Sequence, residues 1–135
     1  MTRGRRISLG VLAAIFVAAG VLHFVITDEY VRIMPPYLPA HRGLVLLSGA
    51  CEIAGGLGLL WARTRRAAAV GLVLLLLAVW PANLQMAMDA RAAAKPFLQQ
   101  ALLWARLPLQ PLLMLWVWRA SRPASPSRDL RSTSG

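Results

Sequence analysis

The sequence predicts an all-α protein: a bundle of four transmembrane helices with the N- and C-termini both cytoplasmic. Three observations lead there. Apolar residues come in long blocks and not in an amphipathic period, and 58% of the 135 residues are hydrophobic against 15% charged. The four blocks, residues 7–27, 43–62, 67–88 and 98–118, are each about 20 residues, the length a helix needs to cross a hydrocarbon core. Basic residues gather on one side of those blocks. Backbone groups in lipid have to be satisfied within the segment, so such blocks are helices, whereas a barrel strand needs only about 10 residues and alternates.

The first span follows Arg3, Arg5 and Arg6 and contains His23 near its far end. A basic start, an apolar run and the small residues Val17-Ala18-Ala19 also resemble a signal peptide. The apolar run continues unbroken to Ile26, however, and the charge pattern of the later spans requires the first to remain, so an uncleaved helix is expected. The connection at residues 28–42 is long and carries Pro35, Pro36 and Pro39 around Tyr37. Its clustered prolines exclude helix at that point and favour a stiff, extended segment. With several apolar residues beside them, this segment is expected to lie on the outer face, as an interfacial anchor or as a cover over the bundle.

The second span holds Ser48 and Glu52 on one face, with Gly55 and Gly56 continuing it. Ala50, Ala54 and Gly58 form a second small-residue stripe suited to packing. A tight turn with Arg63, Arg65 and Arg66 leads into the third span, making spans two and three antiparallel neighbours. Asn83 and Gln85 lie near the outer end of the third, two and four residues after Pro81. The fourth carries Gln99, Arg106 and Gln110 on one stripe, with Pro108 and Pro111 flanking Gln110. Those prolines free carbonyls one turn earlier, and Arg106 is positioned to donate to them, so a kinked, partly hydrated helix is expected. Residues 1–118 thus read as one transmembrane domain and 119–135 as a basic, disordered cytoplasmic tail.

The net charge of +10 is distributed as a membrane protein requires. Ten basic residues flank the cytoplasmic ends of the spans, four lie on the other side, and Arg106 is inside a span. That is the positive-inside bias, which places both termini in the cytoplasm, and the expected location is the inner (plasma) membrane as a multi-pass protein. The lipid bilayer is the expected partner of these arginines, and nucleic acid is not, because no aromatic-interleaved basic motif accompanies the charge. Cys51 is a lone thiol inside a span and reads as a small apolar residue. Two histidines and one cysteine without ligand spacing give no metal site. No nucleotide loop, nucleophile elbow or triad is present, so no self-contained catalytic motif is visible.

The chemistry is expected in a polar intramembrane cluster of His23, Ser48, Glu52, Asn83, Arg106 and Gln110. All four spans carry these residues at mid-depth or in the outer half, while the inner halves are almost purely apolar. A carboxylate at the bilayer centre costs roughly 2.5–3.5 kcal/mol on insertion scales, so Glu52 needs a partner or a task. Arg106 is the expected partner. The competing readings are an ion pair that sets helix register, an interfacial histidine bonded to a neighbour, and an asparagine that caps the Pro81 break.

Several segments together resemble the DoxX-like family of small integral membrane proteins. They are Gly20-Val21-Leu22-His23-Phe24, Met34-Pro35-Pro36-Tyr37-Leu38-Pro39, the run from Leu47-Ser48-Gly49 to Leu59-Leu60, Trp80-Pro81-Ala82-Asn83-Leu84-Gln85-Met86-Ala87, and Arg106-Leu107-Pro108-Leu109-Gln110. The resemblance implies a four-helix membrane bundle and marks the same six polar residues as the shared set. The family is named for a subunit of a quinone-linked thiosulfate-oxidising complex, so it suggests a membrane subunit of an oxidoreductase system that handles quinone or protons. On that reading the chain itself carries no cofactor, quinone is the candidate, and a redox partner protein or a homo-oligomer is expected. The alternatives are a small-molecule or lipid-binding transport protein, and a structural assembly subunit.

The topology is directly testable. In a Cys51→Ala background, cysteine introduced at Arg65 should be shielded from impermeant thiol reagents added outside intact cells, and cysteine at Ala40 should react. Labelling of position 65 from outside would overturn the orientation.

Overall fold

The computed structural model describes residues 1–123, and these form five α-helices with no strand among them. They are α1 (Arg3–Val25), α2 (Thr27–Ile33), α3 (His41–Gly58), α4 (Arg65–Ala92) and α5 (Phe97–Ser121). The expected tail begins later than residue 119, because Arg119 to Ser121 complete α5 and Ala120 and Ser121 are buried. The rest of that expected tail, residues 124–135, lies outside the described residues.

Three helices, α1, α4 and α5, are long and apolar enough to cross a membrane. The fold also turns large apolar side chains outward, among them Ile7 and Val11 on α1, Leu74 and Leu77 on α4, and Leu109 and Leu112 on α5. Apolar surface on that scale marks a membrane protein and not a water-soluble one. The second expected span appears as α3, only 18 residues long. Its helix starts on His41 and Arg42, contains Glu52, and stops at Gly58, so Trp61 and Ala62 fall in the following turn.

The first connection holds more structure than its prolines suggest. Ile26 leaves helical geometry at φ −117°, ψ 42°, and α2 starts at once. Thr27 holds the break by donating its hydroxyl to the His23 carbonyl at 2.7 Å and the Phe24 carbonyl at 3.0 Å. The prolines act where expected, since the chain after Ile33 passes through turns until α3 begins. The helices with internal prolines run on without interruption: α4 passes Pro81, and α5 passes Pro108 and Pro111.

The four long helices pack as two pairs, α1 on α3 and α4 on α5, with α3 lying against α4. The first pair meets through glycines. A Cβ on Gly20 would stand 2.5 Å from the Gly49 carbonyl oxygen, and one on Gly49 would stand 2.6 Å from the His23 Cβ. Gly56 meets Ala13 and Phe16 in the same way, farther toward the termini. Lipid supplies no hydrophobic drive between helices, so close backbone approach of this kind is what holds them. Of the Ala50, Ala54 and Gly58 stripe, the two alanines take no part because both are exposed, whereas Gly58 packs against α4, where a Cβ on it would stand 2.8 Å from the Ala68 Cβ.

The pairs join in the half nearest the chain termini. Leu9, Leu12 and Phe16 of α1 share one core with Leu59, with Leu72 and Leu76 of α4, and with Val117 and Ala120 of α5. Arginines lock the same end. Arg5 Nε donates to the Ala120 carbonyl at 2.8 Å, and Arg65 Nε donates to the Leu59 carbonyl at 2.8 Å. The acceptors lie at the C-terminal ends of α5 and α3, where carbonyls lack helical partners and a cation is favoured by about 0.3–1 kcal/mol. Arg66 sits over the Trp118 ring at 3.8 Å. In the other half, the second core contains only Ala87, Ala90, Leu103 and Leu107 of α4 and α5, with Ile33 of α2 packed against it.

The glycine crossing makes a sharp stability prediction. Gly20→Ala and Gly49→Ala should each cost about 1–3 kcal/mol through overpacking against backbone and Cβ atoms. Gly71→Ala should be neutral or stabilising by up to about 1 kcal/mol, because nothing lies within 4 Å of the added methyl. Thermal unfolding in mild detergent separates the two outcomes.

Candidate functional site

Gly20 and Gly49 bring α1 so close to α3 that His23 packs directly over the α3 backbone. Glu52 lies three residues after Gly49 on the same helix face. As a result His23 Nδ1 stands 3.4 Å from Glu52 Oε2, with both side chains largely buried. The direct contact of Glu52 is therefore His23 and not the expected Arg106. Arg106 makes no ion pair within 4.0 Å among the described residues, yet it lies within Coulombic range of Glu52, His23 and Tyr30.

Hydrogen bonding at this pair is one-sided. His23 Nδ1 also lies 2.8 Å from the Ala19 carbonyl oxygen, one turn back on α1. A carbonyl can only accept, so this contact sets Nδ1 as the protonated nitrogen of the neutral ring and leaves Nε2 as a bare acceptor. Glu52 Oε2 is within ion-contact distance of the ring but is buried without any hydrogen-bond donor. The two observations agree once the Nδ1 hydrogen is assigned to Ala19. A buried, unsatisfied carboxylate oxygen is rare enough in proteins to need an explanation.

Tyr30 covers the site from the α2 side. Its ring stacks on His23 with centroids 4.2 Å apart and planes 16° from parallel. Burial pushes the Tyr30 phenol above its ordinary value; Arg106 pulls it back and Glu52 adds to the rise. Of the expected cover residues, Pro35 is fully buried, whereas Pro36, Tyr37 and Pro39 are exposed, Tyr37 to 65%. Within this connection the side chain that lies on the polar pair is Tyr30 of α2. The residues that expose that helix in the sequence are Thr27, Asp28 and Glu29, a helix-start pattern directly after an apolar span.

A second polar pair joins the other two helices. Asn83 Nδ2 donates to Gln110 Oε1 at 3.0 Å, and both residues are buried. Next to it, Trp80 Nε1 donates to the Leu107 carbonyl at 3.1 Å. Leu107 is the residue whose helical partner would have been the amide of Pro111, which has no N–H. Trp80 therefore satisfies the carbonyl for which Arg106 was the expected donor. Ser48 is half-buried one turn before Glu52 and makes no side-chain hydrogen bond among the described residues. The six expected residues thus divide into His23–Glu52 on α1 and α3, Asn83–Gln110 on α4 and α5, Arg106 in electrostatic range of the first pair, and Ser48 apart.

Residues 12–121 match a family model described as a domain of unknown function (DUF8561). No curated protein and no solved structure matches the chain.

The pairing predicts a particular double-mutant cycle. Glu52→Gln and His23→Gln should each lower the melting temperature in detergent, and the double variant should recover part of the loss. The coupling should fall in the range of about 0.5–3 kcal/mol seen for residues in contact. Glu52→Gln with Arg106→Gln should come closer to additivity, because a charge acting at a distance couples more weakly. A larger coupling to Arg106 than to His23 would overturn the assignment.

Proposed function

We propose that this chain, which belongs to the DUF8561 family, is a four-span protein of the inner (plasma) membrane that handles a quinone-type headgroup and its protons for an oxidoreductase system. The ten-to-four split of basic residues supports cytoplasmic termini. The length of α3, about 27 Å at 1.5 Å per residue, supports its role as the fourth span once the turn that follows is added. The motif resemblance to the DoxX-like family supports the link to a redox system.

One observation carries the chemical reading. Glu52 Oε2 is a buried acceptor with no donor, and it lies against a histidine whose Nδ1 is already engaged by Ala19. Two acceptors, Glu52 Oε2 facing the Nδ1 edge of the ring and His23 Nε2 within it, thus belong to this pair, with the cationic Arg106 in range. The complementary ligand is a neutral group with hydroxyl donors on an apolar body, which describes a quinol headgroup. Such a group would supply reversible two-electron, two-proton chemistry, with a redox partner protein taking the electrons. The part of this chain is to hold the hydroxyls, accept a proton at Glu52 or His23, and shield the site from outside with Tyr30.

A structural reading competes, and one observation favours it. Each polar contact in the outer half links helices that already pack together, His23–Glu52 within the first pair and Asn83–Gln110 within the second. Polar residues used that way lock register and need no ligand. Binding or transport of another small molecule or lipid is the third reading.

Purification in mild detergent followed by mass spectrometry of the extracted lipids separates these. Co-purifying quinone is expected from the wild type, with occupancy falling at least several-fold in Glu52→Gln and His23→Gln. Equal quinone in wild type and both variants, or none in any, would overturn the reading and leave the structural role.

A further inference from the structure

A cleft of about 540 Å³ lies away from the His23–Glu52 pair, between α4 and α5. Its walls are Met88, Arg91, Ala92 and Trp104. We propose that this cleft is a binding site for an anionic phospholipid of the leaflet opposite the chain termini, with the phosphate on Arg91 and the upper acyl chain along Met88 and Trp104. The proposal rests on the membrane reading of the fold alone and is independent of any role for His23 or Glu52.

Depth supports this occupant. Arg91 and Ala92 close the last turn of α4, at the level where a lipid headgroup lies. Met88 is one turn deeper on α4. Trp104 is two turns below the start of α5 at Phe97, where the acyl region begins. The cleft therefore runs from a cationic mouth to apolar walls along the bundle, matching the polarity gradient of a phospholipid. Tryptophan and arginine at this level are the side chains that anchor proteins at the headgroup boundary.

Charge points to an anionic lipid. Arg91 forms no ion pair among the described residues. The nearest carboxylate in sequence, Asp89, accepts from Gln85 Nε2 at 2.7 Å. The backbone that carries Arg91 is held by a closed helix end. The Lys95 amide donates to the Ala90 carbonyl at 3.0 Å and the Ala94 amide to the Arg91 carbonyl at 3.1 Å, with Ala94 in the left-handed region at φ 50°. That is the Schellman arrangement, built here without glycine. It keeps the base of the Arg91 side chain at the rim of the cleft.

The test uses the full chain in nanodiscs of phosphatidylcholine with a minority of phosphatidylglycerol, with bound lipid read by native mass spectrometry after release into detergent. The wild type should retain phosphatidylglycerol over phosphatidylcholine by about fivefold beyond what Arg91→Gln retains, the factor for one basic residue at an anionic surface. Lys95→Gln, in the connection after α4 and outside the cleft lining, should behave as wild type. Trp104→Ala should lower retention of both lipids. An unchanged preference in Arg91→Gln, an equal loss in Lys95→Gln, or displacement of the lipid by free inorganic phosphate would each overturn the proposal.

Discussion

The contact on which the rest of the structure depends is the crossing of Gly20 over Gly49. Neither position has room for a methyl group, because the space a side chain would take is filled by the backbone or first carbon of the facing helix. Close approach places the next turn of α1, with His23, against the next residues of α3, with Glu52. The site therefore follows from packing: with a side chain in place of either glycine the helices have to move apart, and the 3.4 Å that divides the two polar atoms grows. In a bilayer this matters more than in water, since van der Waals contact and polar pairing are the forces that hold helices together there.

The bundle is tied at one end and divided at the other. Near the termini, one apolar core links α1, α4 and α5, and arginines bond the open carbonyls of α3 and α5. Toward the other end the packing resolves into two pairs, bridged by α2 through Tyr30 on His23 and Ile33 on the second core. Polar residues tolerate that end because each pair supplies its own internal partner. The half nearest the termini is thus closed by one apolar core, and the other half carries the paired polar side chains under α2.

The polar set was legible in the sequence because carboxylate, guanidinium and amide groups stand out in apolar blocks. Their pairing was not. Charge alone favoured Glu52 with Arg106, but distance is decided by which helix lies beside α3, and that helix is α1. Trp80 escaped notice because tryptophan is common at membrane boundaries for reasons unrelated to its N–H. Its role appears only when the carbonyl freed by Pro111 is located in space. The helix that carries Tyr30 was not legible because seven residues beside a proline cluster have too little apolar period to separate them from a loop.

The sequence by itself determined the helical class and the approximate limits of the long helices, because long apolar blocks are set by the membrane and need no partner. Only the tertiary structure decided who meets whom. It gave the second apolar block as the 18-residue helix α3, turned Ala50 and Ala54 outward, gave Glu52 to His23, and folded α2 over the pair. Those outcomes depend on contact between helices. A hydrophobic block facing lipid on one side and protein on the other has the same composition on both, so its sequence does not record which neighbour it will find.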